Sequence, residues 1–132
     1  MALVFLAQGE QIALEALVNK TAPQTLILRL YTNNYTPVEA STEANFTEAS
    51  GFGYASVSLT PASWTASGSD PTQLAYPQVT FTFTGALGNV YGYYLTQTTS
   101  GKAVWAEIFS DGPYNMNNNG DETKVTVRIT QD

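Results

Sequence analysis

The chain contains no cysteine and no histidine. Without cysteine there is neither a disulfide framework nor thiolate chemistry, and the redox compartment is left open. The lack of both residues also excludes the familiar nucleophile and base triads and most zinc sites. Charge is scarce as well: 12% of residues are charged, against a usual fraction of about 25%. Polarity comes mostly from Thr, Ser, Asn and Gln. The five bases, Lys20, Arg29, Lys102, Lys124 and Arg128, are scattered and outnumbered by eleven acids, giving a formal charge of −6. Phosphate binding needs clustered Lys and Arg, so nucleic acid is not the expected partner. No apolar run approaches membrane-spanning length, and no membrane role is expected. The opening MALVFLA lacks a basic n-region and is broken by QGEQ, so it is not expected to act as a secretion signal.

What is present is a chain of 132 residues, long enough to bury one core, and a single domain over 1–132 is expected. QGEQIALEALVNKT is the one convincing helix. Ile12, Ala13, Ala16 and Leu17, with Leu14 and Val18, recur at three- and four-residue steps. Glu10 near the start and Lys20 near the end suit the helix dipole, and Pro23 prevents continuation. The expectation is a short amphipathic helix that plugs one side of the core. Residues 1–22 would form a strand and helix segment packing on the domain or on a neighbouring subunit.

After Pro23 the period changes to two. TLILRLYT sets Leu26, Leu28 and Leu30 against Ile27, Arg29 and Tyr31, and GYASVSLT sets Ala55, Val57 and Leu59 against Tyr54, Ser56 and Ser58. VTFTFT opposes Val79, Phe81 and Phe83 to Thr80, Thr82 and Thr84; TKVTVRIT opposes Val125, Val127 and Ile129 to Lys124, Thr126 and Arg128. These spacings predict half-buried strands. VYGYYLTQ (90–97) and KAVWAEIF (102–109) follow 79–84 through short turn-forming links, which predicts a three-stranded antiparallel meander. Adding weaker candidates at Thr42–Glu48 and Ser63–Ser67 gives about eight strands, the pattern of a mainly β, antiparallel β-sandwich or jelly roll.

Chemistry is harder to find. A glycosidase can run on two carboxylates, and Glu107 is the candidate to weigh because it shares a strand face with Trp105 and Phe109, where burial raises a carboxyl pKa. The usual role of such a Glu is to cover its aromatic neighbours at the surface, and no catalytic residue is assigned. DGPYNMNNNGDE (111–122) clusters oxygen ligands, but an EF-hand aligned on NMNNNG needs Asp first and Glu twelfth. The chain offers Asn115 and Thr126. An Asn- and Gly-rich surface loop is the expectation, with an irregular cation site at Asp111, Asp121 or Glu122 as the alternative; no cofactor is expected. VYGYYLT places Tyr91 and Tyr93 on one face and Tyr94 on the other, where tyrosines stack on sugars, anchor an interface or pack in the core. The tripeptides at Asn19, Asn34 and Asn45 match the glycosylation pattern by chance in so Asn- and Thr-rich a chain.

The outward positions of VTFTFTG carry threonine where a solitary monomer usually carries Lys or Glu. Such a face is compatible with lying against another protein, since an unpaired charge is costly to bury and a hydroxyl is not. Hydroxyl hydration explains it equally well.

The segments LYTNNYTP, FTEASGFGYASVSLT, WTAS, YPQVTFTFTGALGNVYGYYLT, VWAEIFSDGPY and NGDETKVTVRIT occur in the order seen in a group of small tailed-bacteriophage virion proteins. The chain resembles this group from the GE before the helix to the last strand. The resemblance implies a β-sandwich or jelly-roll decoration (cement) protein on the capsid exterior, made in the host cytoplasm, with the major capsid protein as partner. It also implies self-association as a dimer or trimer and no catalytic residues. Expected interface residues are Thr80, Thr82, Thr84, Tyr91, Tyr93, Tyr114, Asn115 and Asn117. A tail or fibre component and a carbohydrate-binding module are the alternatives, with an enzyme more distant.

Overall fold

The alternating segments fold as strands, and the computed structural model, which describes residues 3–131, is mainly β, with 38% strand, 13% helix and antiparallel pairing. The elements run β1 (Val4–Phe5), α1 (Ala7–Leu17), β2 (Leu26–Tyr31), β3 (Val57–Leu59), β4 (Thr65–Ser67), β5 (Thr72–Ala75) and β6 (Val79–Thr82). They continue with β7 (Gly88–Val90), β8 (Gly92–Gln97), β9 (Ala103–Ile108), β10 (Tyr114–Met116), β11 (Glu122–Val125) and β12 (Arg128–Gln131). Among the described residues twelve short strands therefore stand where about eight were expected. They form one five-stranded sheet in the order β1-β9-β8-β2-β3 and three small sheets, β10-β7, β11-β6 and β12-β5-β4.

The count differs because two predicted segments each divide, β1, β5 and β10 form outside the segments counted as strands, and one predicted segment is not a strand. The chain leaves β7, paired with β10, and enters β8, paired with β2 and β9, around Tyr91. Gly92 lets the backbone pass there: a Cβ would collide with the Glu107 carbonyl and lie 2.6 Å from the Tyr31 hydroxyl. The C-terminal segment divides between β11 and β12 because its partner divides. Pairing runs Val79↔Val125 on one side and Ala75↔Arg128 on the other, so Tyr76, Pro77 and Gln78 face only two residues. A one-residue bulge at a proline, which has no N–H to give the ladder, is the physical reason. The segment at Thr42–Glu48 is no strand; it holds a 3-10 turn at Glu43–Asn45 and one bridge, Tyr31↔Glu48.

The predicted meander is also corrected. β8 and β9 do form a hairpin, closed by Thr98–Gly101 with Gly101 at φ +73°. β6, however, pairs with β11 and not with β8.

Two hydrophobic clusters use the two faces of the large sheet. Leu28, Leu30, Tyr93 and Leu95 meet Phe81, Val90, Met116 and Val125 from the small sheets on one side. Tyr31, Tyr94, Ala103 and Ala106 meet Leu6 and Phe46 on the other. The second face also carries an ion pair: Arg29 Nη1 reaches both Glu48 oxygens at 2.9 and 3.0 Å, while the Tyr54 hydroxyl donates to Glu48 at 2.8 Å. The small side chains Ala103 and Ala106 leave room for α1 to approach β9. Gly9 is buried at that crossing, where a Cβ would meet the Val104 backbone and come within 2.8 Å of Val104 Cγ1.

Candidate functional site: a carboxylate and tyrosine cleft

β8, β9 and β11 converge beside the loop that leads into β10, and an open cleft of about 210 Å³ lies there. Glu107 enters from β9 because period two puts it on the face of Trp105, the face turned to the first cluster. Tyr93 lies directly across on β8, in register with Glu107, and its hydroxyl donates to Glu107 Oε1 at 2.6 Å. After β9 the chain turns through Asp111 to Tyr114, whose hydroxyl donates to Asp111 Oδ1. The Tyr114 ring stacks on Phe109, centroids 4.5 Å apart, and Phe109 lies 6.1 Å from the Tyr93 ring. Lys124, Val125 and Thr126 close the far side.

Both hydroxyls are held in the neutral form. Burial, then the bond to Glu107, pushes the Tyr93 phenol well above its ordinary value. Partial burial, then the bond to Asp111, pushes Tyr114 up to about 12. Each therefore keeps the proton it donates at neutral pH. Lys124 makes no ion pair among the described residues.

The structure thus joins Tyr93, Tyr114, Glu107 and Asp111, which the sequence left unconnected. Tyr93 is only 3% exposed and is a core residue, so it offers a partner its environment more than its surface. Tyr91 does not share its face; the break before β8 turns it to the second cluster, with Tyr94. Asn115 and Asn117 are exposed on β10 and the following loop. Asp121 turns inward on its own loop, where Oδ2 accepts the N–H groups of Asn117 and Asn118 at 2.9 Å each. Among the described residues no group of three or more acidic side chains is placed to hold a metal ion.

Thr80, Thr82 and Thr84 point outward and are exposed, as the alternation requires. Their face is not free of charge: Lys124 stands opposite Thr80 and Glu122 opposite Thr82, with Glu122 Oε2 accepting from the Thr82 hydroxyl at 3.3 Å. The charges that usually guard such a surface are supplied by the neighbouring strand. A feature that the sequence misassigned lies on α1. Its inner stripe is Gly9, Ile12 and Ala16, while Leu14, Leu17 and Val18 are 64%, 81% and 72% exposed. The three- and four-residue spacing was visible, but two apolar stripes satisfied it and only the buried glycine selects between them. A separate apolar groove of about 280 Å³ is lined by both tryptophans, Trp64 and Trp105, with Leu26, Leu59, Leu74 and Ile129.

No protein family, no curated protein and no solved structure matches the chain.

Proposed function

We propose that the chain is a non-catalytic structural protein of a phage virion, a capsid decoration protein that binds the outer shell and bridges neighbouring major capsid subunits. Its two-faced central sheet, with small sheets over one side, is then read as a variant of the β-sandwich or jelly-roll plan. The single observation that carries the binding role is the apolar stripe of Leu14, Leu17 and Val18, exposed on a helix whose other side is already packed. Exposed large apolar groups gathered on one stripe mark interaction surfaces more than scattered ones do. The resemblance of its segment order to small tailed-bacteriophage virion proteins supplies the context. A protein that binds the assembled shell and not free subunits stabilises the shell by mass action, and repetition over many equivalent sites multiplies a modest contact. Dimers or trimers at symmetry axes suit that arrangement.

The test is copy number in purified particles of the source phage, by quantitative mass spectrometry against the major capsid protein, together with reattachment of added protein. The expected ratio is near one copy per capsid subunit or a simple fraction of it. Leu17→Lys is expected to weaken attachment at least about tenfold, the equivalent of roughly 1.4 kcal/mol, with unchanged thermal stability because Leu17 faces solvent. A handful of copies per particle would move the protein to the tail, and absence from particles would end the virion reading.

A further inference from the structure

We infer that the Glu107 and Asp111 cleft is the seat of one guanidinium group, an arginine side chain presented by the protein to which this chain attaches. In naming that source the inference rests on the attachment role proposed above; the chemistry of the cleft stands on its own geometry.

Its hydrogen-bonding capacity is one-sided. Both tyrosine hydroxyls spend their protons on Glu107 Oε1 and Asp111 Oδ1. Among the described residues nothing donates to Glu107 Oε2 or to Asp111 Oδ2. The cleft therefore presents two carboxylates with an unpaired oxygen each; its other polar side chains are the Lys124 ammonium and the Ser110 and Thr126 hydroxyls, which accept as readily as they donate, so a ligand rich in donors matches it best. Two carboxylates against one ammonium favour a cation. Phe109, Tyr114 and Tyr93 also line the cleft, aromatic neighbours against which a guanidinium packs more readily than an ammonium does. A planar ion with five N–H donors fits acceptors and rings together better than a compact, strongly hydrated ammonium does. Size points the same way: about 210 Å³ falls below the ~300–1,000 Å³ of small-molecule pockets and suits a single side chain. The net charge of −6 steers a basic surface toward the chain in the same sense.

The test has two arms. In the first, the ¹⁵N-labelled protein is titrated with N-acetyl-arginine amide, its lysine counterpart and its neutral citrulline counterpart, and amide shifts are followed. Saturable shifts are expected at Glu107, Asp111, Tyr114 and Lys124, with arginine binding more tightly than lysine and at least about fivefold more tightly than citrulline. Asp111→Asn, which keeps an acceptor for the Tyr114 hydroxyl, should weaken arginine binding about fivefold or more, and Lys124→Gln should strengthen it. Equal binding of arginine and citrulline, or no effect of Asp111→Asn, overturns the inference. So does a methyl hexoside that moves these amides when arginine does not, since the cleft would then be a saccharide site.

In the second arm wild type and Asp111→Asn are added to particles stripped of the protein. Attachment of wild type with weaker attachment of Asp111→Asn supports the inference. Equal attachment of the two removes arginine capture from the contact while leaving the decoration role intact. Failure of wild type to attach, beside a positive arginine titration, removes the decoration role and leaves the guanidinium site.

Discussion

Thr123 is fully enclosed in β11, in register with Phe81, and its hydroxyl finds no hydrogen-bond partner. An unmade buried hydrogen bond costs about 1–3 kcal/mol, and valine has the same shape without the hydroxyl. Thr123→Val is therefore expected to stabilise the fold by about 1 kcal/mol, read as a higher urea midpoint at constant slope. The tyrosines make a second prediction at this scale. Burial is the leading cause that raises Tyr31, Tyr54, Tyr93, Tyr94 and Tyr114, reinforced by nearby carboxylates that include Glu48, Glu107 and Asp111. Tyr94 and Tyr114 reach about 12, against an ordinary value of 10.0. A folded-state pKa above the unfolded one means that the stability is whole below pH 10 and is lost as pH rises through the folded values. The urea midpoint should hold to about pH 9 and fall beyond about pH 10, with tyrosinate absorbance lagging that of the unfolded chain. A constant midpoint through about pH 11 would contradict these assignments. Side-chain direction was legible for Val79, Phe81, Phe83 and the threonines between them, because a pleat fixes it. It was not legible for Tyr91 and Tyr93, whose apparent two-residue step crosses the break before β8.

At the scale of elements, α1 is positioned by one residue. A Cβ on Gly9 would overlap the Val104 backbone, which cannot swing aside as a flexible side-chain end can. Gly9→Ala should therefore destabilise by roughly 1–3 kcal/mol despite alanine's better helix propensity, and should loosen the Phe5 and Trp105 stack, now 4.7 Å between centroids. Thermal denaturation and tryptophan emission read the two effects; a gain in stability would show that the helix does not sit this close. The helix itself was legible from spacing, but it ends at Leu17, before Lys20 and Pro23. Which stripe it buries was not, since hydrophobicity favoured the leucines and close approach favoured the glycine. The same conflict explains the small strands. Periodicity marks where a strand is possible, but Pro77 and Gly92 decide where the ladder breaks, through a missing donor and a missing side chain.

Over the whole molecule, the mainly β class and antiparallel pairing follow from local pattern, whereas partner choice does not. β6 was expected beside β8 and instead pairs with β11, some forty residues on, because the small sheets have to cover one face of the large one. The cleft was hidden in part for the same reason: the β8–β9 hairpin brings Tyr93 beside Glu107, but Lys124 joins them only because β11 pairs with the distant β6 over the same face of the large sheet. All six residues of β8 are buried, some contributing to one cluster and some to the other. In terms of sequence drift, that strand has no outward position at which a change goes unfelt, and a larger or smaller residue there must be answered on one side of the sheet or the other. The exposed turns at 98–101 and 117–120 carry no such obligation. Relatives of this chain should therefore diverge first in those turns and last along GYYLTQ.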